Sequence, residues 1–206
     1  MQEALWYRTL ADGRTACLLC PHHCRLAPGQ VGICRVRRNR DGVLVTRNYG
    51  YCTQPVLDPI EKKPLYHFYP GRTVLSVGTV GCNFRCRFCQ NWELAHGDPP
   101  LFRVEPEQLV ELALEAGKHG NVGLAYTYSE PSVWYEFVLA TAKLAHEQGL
   151  KNVLVTNGFI EKEPFAELLP YIDALNIDVK GFSEEFYRKT VHGDYRPVLE
   201  RAQEAY

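Results

Sequence analysis

The chain has 206 residues, of which 46% are hydrophobic and 23% charged, and its formal net charge is -1. That composition excludes bulk disorder and lacks the basic excess that gripping a nucleic-acid backbone requires, although Arg35 to Arg40 is locally basic. No run reaches the roughly 18 apolar residues of a membrane helix, and the start, MQEALWYRTL, has neither the cationic region nor the apolar core of a secretory signal.

Residues 1–72 read as one cysteine-rich module of loops and short strands. A β-like piece lies at Val43–Thr46, and turn signals stand at Asp12-Gly13, Pro28-Gly29, Asp41-Gly42 and Pro70-Gly71. Over 73–206 the texture changes to alternating strands and helices. Strands are predicted at 73–80, 121–127, 152–156 and 172–179. Helices are predicted at 104–119, 132–148 and 161–169, with helical character again from Ser183. Crossovers of helical length imply a parallel sheet, so the fold class is α/β. About four such units do not close a six- or eight-stranded barrel. The expectation is a partial (β/α) barrel of TIM type, cut short on its C-terminal side.

The last strand predicts where chemistry sits. Leu175, Ile177 and Val179 alternate with Asn176, Asp178 and Lys180. Strands of a parallel sheet are normally apolar on both faces. A polar face near a strand's C-terminal end is where barrels place active sites. By contrast, the stripe Trp134, Phe137, Val138 and Leu144 reads as core packing, and His67 as a packing histidine.

Eight cysteines stand against one methionine. The chain is expected in a reducing cytoplasm, where clustered cysteines are metal ligands or catalytic thiols more often than disulfides. Cys52 is isolated and reads as a buried thiol. Cys82, Cys86 and Cys89 form a C-x3-C-x2-C run directly after the first predicted strand. Thiolates bind the irons of a cubane cluster individually, so three of them leave one iron open. The alternative is a zinc knuckle with a distant ligand such as His96. Cys17, Cys20, Cys24 and Cys34 are four ligands in a loop-rich setting, which suits zinc or a second iron–sulfur cluster equally. His22 and His23 could each replace one of these thiols.

The run Cys82, Cys86, Phe88, Cys89 resembles the signature of the radical SAM superfamily, in the branch of pyruvate formate-lyase-activating-type enzymes. Asp58-Pro-Ile-Glu-Lys-Lys-Pro-Leu65, His67-Phe68, Pro70-Gly71 and Cys20-Pro-His22 leading to Gly32-x-Cys34 look closer still to the radical SAM proteins of the AmmeMemoRadiSam system. The resemblance implies a radical SAM partial barrel holding a 4Fe-4S cluster on Cys82, Cys86 and Cys89, with S-adenosylmethionine (SAM) on the open iron. Reductive cleavage of SAM would give a 5′-deoxyadenosyl radical that abstracts hydrogen from a protein or small molecule.

It further implies that Ser129 and Glu130, in Tyr-Ser-Glu-Pro where the family often has Gly-Gly-Glu-Pro, bind the methionine end of SAM. Thr156 and Asn157 would lie on the ribose side. Asp178 and Lys180 match an Asp-Leu-Lys motif in which the lysine pairs with the cofactor carboxylate. Phe88 would pack beside the adenine, and Asn91 would support the cluster loop. Partners implied are an electron donor of the flavodoxin or ferredoxin class, and a glycyl-radical-type protein substrate or an Ammecr-type or Memo-type protein. Different classes of function, a non-catalytic zinc-binding interaction protein or a redox relay, predict a colourless protein and a cluster without 5′-deoxyadenosine, respectively.

Overall fold

The computed structural model describes residues 1–206. Its N-terminal part is built from two small antiparallel sheets. Tyr7–Thr9, Thr15–Cys17 and Arg25–Leu26 form one, and Gln2–Glu3, Val43–Thr46 and Arg37–Arg40 form the other. Arg40 pairs with Val43, so the hairpin closes through Asp41-Gly42 alone. Both turn residues have positive φ, 51° and 91°. That is the geometry two-residue hairpins need and the reason for the Asp-Gly pair.

The main sheet has five strands: β1 (Val56–Pro59), β2 (Thr73–Val77), β3 (Asn121–Tyr126), β4 (Lys151–Thr156) and β5 (Ala174–Ile177), in the spatial order β5-β4-β3-β2-β1. β2 to β5 are parallel, as their crossover lengths predict. β1 adds an antiparallel edge, with Leu57 opposite Leu75. It comes from within residues 1–72, so the cysteine-rich segment contributes a strand to the sheet.

The helices follow the predicted order with shorter bounds. α1 (Pro106–Glu115) starts on a proline and a reciprocal capping box between Glu105 and Gln108. Before α2 (Tyr135–Glu147), residues Pro131–Trp134 form a tighter 3-10 turn where the sequence predicts α-helix, because the Glu130 side chain caps it through the Ser132 amide. α3 is Lys162–Leu168. The helical stretch from Ser183 divides into one α turn (Glu184–Phe186), a π-helical turn (Tyr187–Val191) and α4 (Arg196–Glu204).

The two faces of the sheet pack differently. Leu75, Val77, Leu124, Tyr126 and Leu154 meet Leu109, Phe137, Val138 and Ala142 of the helices in one 25-residue core. Ala4, Cys17, Leu19 and Leu44 belong to the same core, so the N-terminal part shares the apolar interior of the main sheet and its helices. Each fully buried Leu, Val or Phe among them contributes about 1.5–3 kcal/mol. On the opposite face, Val74, Ala125 and Val153 are covered by Ile60, with Leu65 and Phe68 against them. β5 forms the other edge of the sheet and is only half-buried throughout.

One buried ion pair fastens the N-terminal hairpin to α2. Arg37 Nη2 meets Glu136 Oε1 at 2.5 Å, with both side chains almost wholly buried. The same oxygen accepts from the Leu5 amide at 2.9 Å.

Candidate functional site

The C-terminal ends of β2 to β5 open onto a cleft of about 790 Å³. Chain topology brings the predicted residues here from four separate segments. Cys82, Cys86, Phe88, Cys89, Ser129, Glu130, Thr156, Asn157, Asp178 and Lys180 all line it, and Asn91 does too.

The loop after β2 is held from several sides. Its entry, Gly81, has φ +101°, and a Cβ there would stand 2.7 Å from Val36 Cγ1 and 2.8 Å from the Cys34 carbonyl oxygen. Only glycine meets both conditions. The amides of Arg85 and Arg87 donate to Val191 and Thr190 of the π-helical turn. Asn91 Nδ2 donates to the Tyr128 carbonyl at 2.6 Å. Asn157 Nδ2 donates to Asn83 Oδ1 at 2.8 Å and lies 3.8 Å from Cys82 Sγ, which also receives the Phe84 amide at 3.4 Å. Burial pushes the thiols of Cys82 and Cys86 up; nearby Glu130 adds to the rise at Cys82, and Lys180 opposes it at Cys86. Unligated, these cysteines are neutral, so a metal must displace their protons.

No group of three or more His, Cys, Asp or Glu side chains is drawn in tightly enough to hold a single metal ion. The three loop thiols all line the cleft. A cubane bonds each thiolate to a different iron, so its ligands need not converge on one point. The donor set therefore fits that group: three thiols on one loop, N–H groups at a sulfur, and free space in front. His96 lines a separate surface pocket with Arg35, Arg47 and Arg85.

Glu130 ties the loops together. Its Oε1 accepts from the Ser132 amide at 2.9 Å and Thr156 Oγ1 at 2.7 Å, and its Oε2 accepts from the Asn157 amide at 2.8 Å. Burial raises its pKa and these donors oppose the rise. A carboxylate has about four acceptor positions; three are used, and one remains on Oε2. Ser129 Oγ is committed to the Thr79 carbonyl at 2.6 Å.

Lys180 pairs with Asp178, and its amide donates to Tyr187 Oη at 3.0 Å. Burial disfavours its charge, but Asp178 outweighs burial and raises the pKa. A cation therefore stands at the cleft wall. Phe88 is 51% exposed, with its ring centroid 5.9 Å from that of Phe186 in a stacked pose.

The roles of four residues here are not readable from sequence alone. Asp58 accepts from Lys62, Lys63 and Tyr128 Oη, each at 2.7 Å. Lys63 Nζ lies 4.8 Å from the Tyr128 ring centroid. Lys62, Lys63 and Tyr128 line the cleft. The Asp58–Lys62 spacing of an i,i+4 pair was the one local signal; the tyrosine lies 70 residues away.

Burial and the Asp58 charge push Tyr128 up to about 12. Burial works against the Asp58 carboxylate, but its hydrogen bonds prevail and hold its pKa well below the usual range. The stability it confers is complete above the unfolded carboxylate pKa of roughly 3.9 and is lost as pH falls toward the folded value. The gap in urea midpoint between the wild type and Asp58→Asn is therefore expected to be full at about pH 6 and to shrink steadily from about pH 4 to pH 2. A gap independent of pH would remove Asp58 as a charged anchor.

A parallel sheet whose strand ends face a three-thiol loop and an open, polar cleft defines a protein suited to a thiolate-bound cluster with a cofactor beside it. The chain belongs to the radical SAM superfamily, whose family model matches residues 76–206. It is 45% identical over 203 residues to an uncharacterized protein of Methanocaldococcus jannaschii, covering 97% of this chain and 59% of that protein. It is 25% identical over 111 residues to the pyruvate formate-lyase-activating enzyme of Clostridium pasteurianum, covering 52% of this chain and 46% of the enzyme. A shorter match, 30% over 67 residues, is to the 4-hydroxyphenylacetate decarboxylase activating enzyme of Clostridium scatologenes, covering 32% of this chain and 22% of that enzyme. The chain thus spans only part of the length of these relatives. Among solved structures, TYW1 with a lysine-pyruvate adduct bound aligns with a TM-score of 0.39 and 17% identity, over 63% of this chain and 50% of that one. No helix is long and apolar enough to cross a membrane.

Proposed function

We propose that the cleft is the active site of a radical SAM enzyme that abstracts hydrogen from a protein or small-molecule substrate. The observation that carries this is the convergence of the three loop cysteines with Glu130 and Lys180 on one cleft, from segments about 40–100 residues apart in sequence. Cys82, Cys86 and Cys89 would hold a 4Fe-4S cluster. Bound there together, cluster and SAM supply reductive cleavage of the sulfonium and a 5′-deoxyadenosyl radical.

The chain's own residues do the positioning. The free acceptor position of Glu130 suits the SAM ammonium, and the charge on Lys180 suits its carboxylate. Thr156 and Asn157 are fixed by Glu130, so the turn beyond β4 is rigid before a ribose meets it. Phe88 offers an exposed ring for the adenine. Asn157 and the Phe84 amide aim N–H groups at Cys82, which stabilises thiolate charge.

The relatives named as activating enzymes of a decarboxylase and of pyruvate formate-lyase support another enzyme as the substrate; its being a glycyl-radical-type protein, and a flavodoxin or ferredoxin as the electron donor, rest on the sequence resemblance. An Ammecr-type or Memo-type partner rests on the sequence resemblance. A reducing cytoplasm suits eight unpaired cysteines.

Anaerobic reconstitution with iron and sulfide is expected to give a brown chain with about four irons at the cluster loop, the content of one cubane. Reduction in the presence of SAM is then expected to release 5′-deoxyadenosine. A cluster-loaded chain that yields none, tested alongside the longest native form of the gene product, would defeat the proposal.

A further inference from the structure

Beside the cluster loop lies a pocket that the proposed chemistry leaves unused. Arg35, Arg47, Arg85 and His96 line it with Val31 and Gly32, and it shares no residue with the cleft. Gly32 also borders the cavity lined by Cys17, Cys20, Cys24 and Cys34, so the pocket lies between the cysteine-rich part and the loop. Arg85 stands in the loop itself, between Cys82 and Cys86. Arg35 follows Cys34, whose carbonyl packs against Gly81 at the loop entry. The Gly81 amide donates to the Leu94 carbonyl at 2.9 Å, which ties in the short helix Trp92–His96.

The pocket carries an excess of positive charge. Arg47 meets Asp98 at 3.3 Å, and that acid is 82% exposed. Arg35 and Arg85 are exposed and enter no ion pair. Three guanidinium groups thus share one carboxylate, in a chain whose formal net charge is -1. The pKa of His96 is lowered, first by burial and then by Arg85 and Arg35, so both guanidinium groups act on one point. In the basic run from Arg35 to Arg40, Arg37 is committed to Glu136 and Arg38 to the Gly29 carbonyl at 3.1 Å. Arg35 is left to the pocket. Its φ of +69° is a left-handed conformation that few side chains adopt, held here by its amide, which donates to the Gly32 carbonyl at 2.9 Å. Exposed arginines beside an exposed apolar residue, Val31, have the composition of a protein interface.

We infer, on the reading that Cys82, Cys86 and Cys89 hold a cluster, that this pocket is the docking face for an acidic electron-carrier protein, which passes the reducing electron through the loop. The reduced carrier loses one electron to the cluster, and no bond forms or breaks. A carrier seated here touches Arg85, the neighbour of Cys86, and leaves the cleft free for SAM and substrate. Electron-transfer complexes are small and weak, and complementary charge sets their encounter rate.

Binding is read first on the full chain without cluster, with a purified acidic flavodoxin and an acidic ferredoxin as probes. The wild type is expected to bind at least one of them, with affinity falling as salt rises from about 20 to 200 mM. Arg35→Asn with Arg47→Gln is expected to weaken that binding about 10-fold and to flatten its salt dependence; asparagine tolerates the left-handed backbone. Arg8→Gln with Lys118→Gln, which removes exposed charge elsewhere, is expected to change neither. On the reconstituted chain, the pocket variant should slow bleaching by the reduced carrier by the same factor. Photoreduced deazaflavin, a small donor that needs no docking face, should bleach variant and wild type at equal rates. Should the double variant not fold, Arg47→Gln alone reads the same face. Binding of neither carrier by the wild type, or equal binding and equal bleaching in variant and wild type, would overturn the docking face. So would inorganic phosphate that binds the pocket where neither carrier does. A chain that takes up no cluster fails with every donor, deazaflavin included. That outcome defeats the proposed function and electron delivery with it, while binding to the cluster-free chain still reads the docking face by itself.

Discussion

Replacing Cys86 by alanine is expected to cut 5′-deoxyadenosine formation by more than about 100-fold, the upper end of what loss of a mere outer partner costs at a metal site. Cys86 is half-buried at the cleft wall and is the middle thiol of the loop. Two thiols cannot cap three irons, and no other cysteine lines this cleft: Cys52 is buried in the apolar core, and the N-terminal four line their own cavity. Iron content after reconstitution should fall together with activity. Cys52→Ala, which removes a thiol from the apolar core, is the control and should keep both. A Cys86→Ala chain with undiminished iron and product would show that the cluster sits elsewhere.

Glu136→Ala is expected to destabilise the fold by about 3–5 kcal/mol, because it strands the guanidinium of Arg37 in the interior. At about 2–4 °C per kcal/mol for a chain of this size, melting should fall by about 10 °C. The Leu5 amide loses its acceptor in the same change. Glu136→Gln retains an oxygen for both donors and should cost visibly less. A loss below about 1 kcal/mol for the alanine variant, by thermal or urea unfolding, would mean the pair is solvated rather than buried.

These two sites differ in how far sequence reveals them. The loop cysteines lie within eight residues of one another, so their spacing alone exposes them. Strand and helix alternation from Thr73 to Leu168 is local in the same sense, since each element carries its own period and cap. The Arg37–Glu136 pair spans 99 residues, and nothing in either neighbourhood marks it. The same holds for Tyr128, whose hydroxyl reaches Asp58 across the sheet. The 3-10 turn before α2 escaped because Glu130, its N-cap, bonds the Ser132 amide while Thr156 and Asn157 hold the same carboxylate from a distant strand end. β1 escaped because a four-residue edge strand ending in proline has little pattern to read.

The cover that Ile60, Leu65 and Phe68 lay over Val74, Ala125 and Val153 seals that face of the sheet with apolar side chains. On the proposed reading, a substrate would enter from the strand-tip side, where the exposed ammonium of Lys62 lines the cleft.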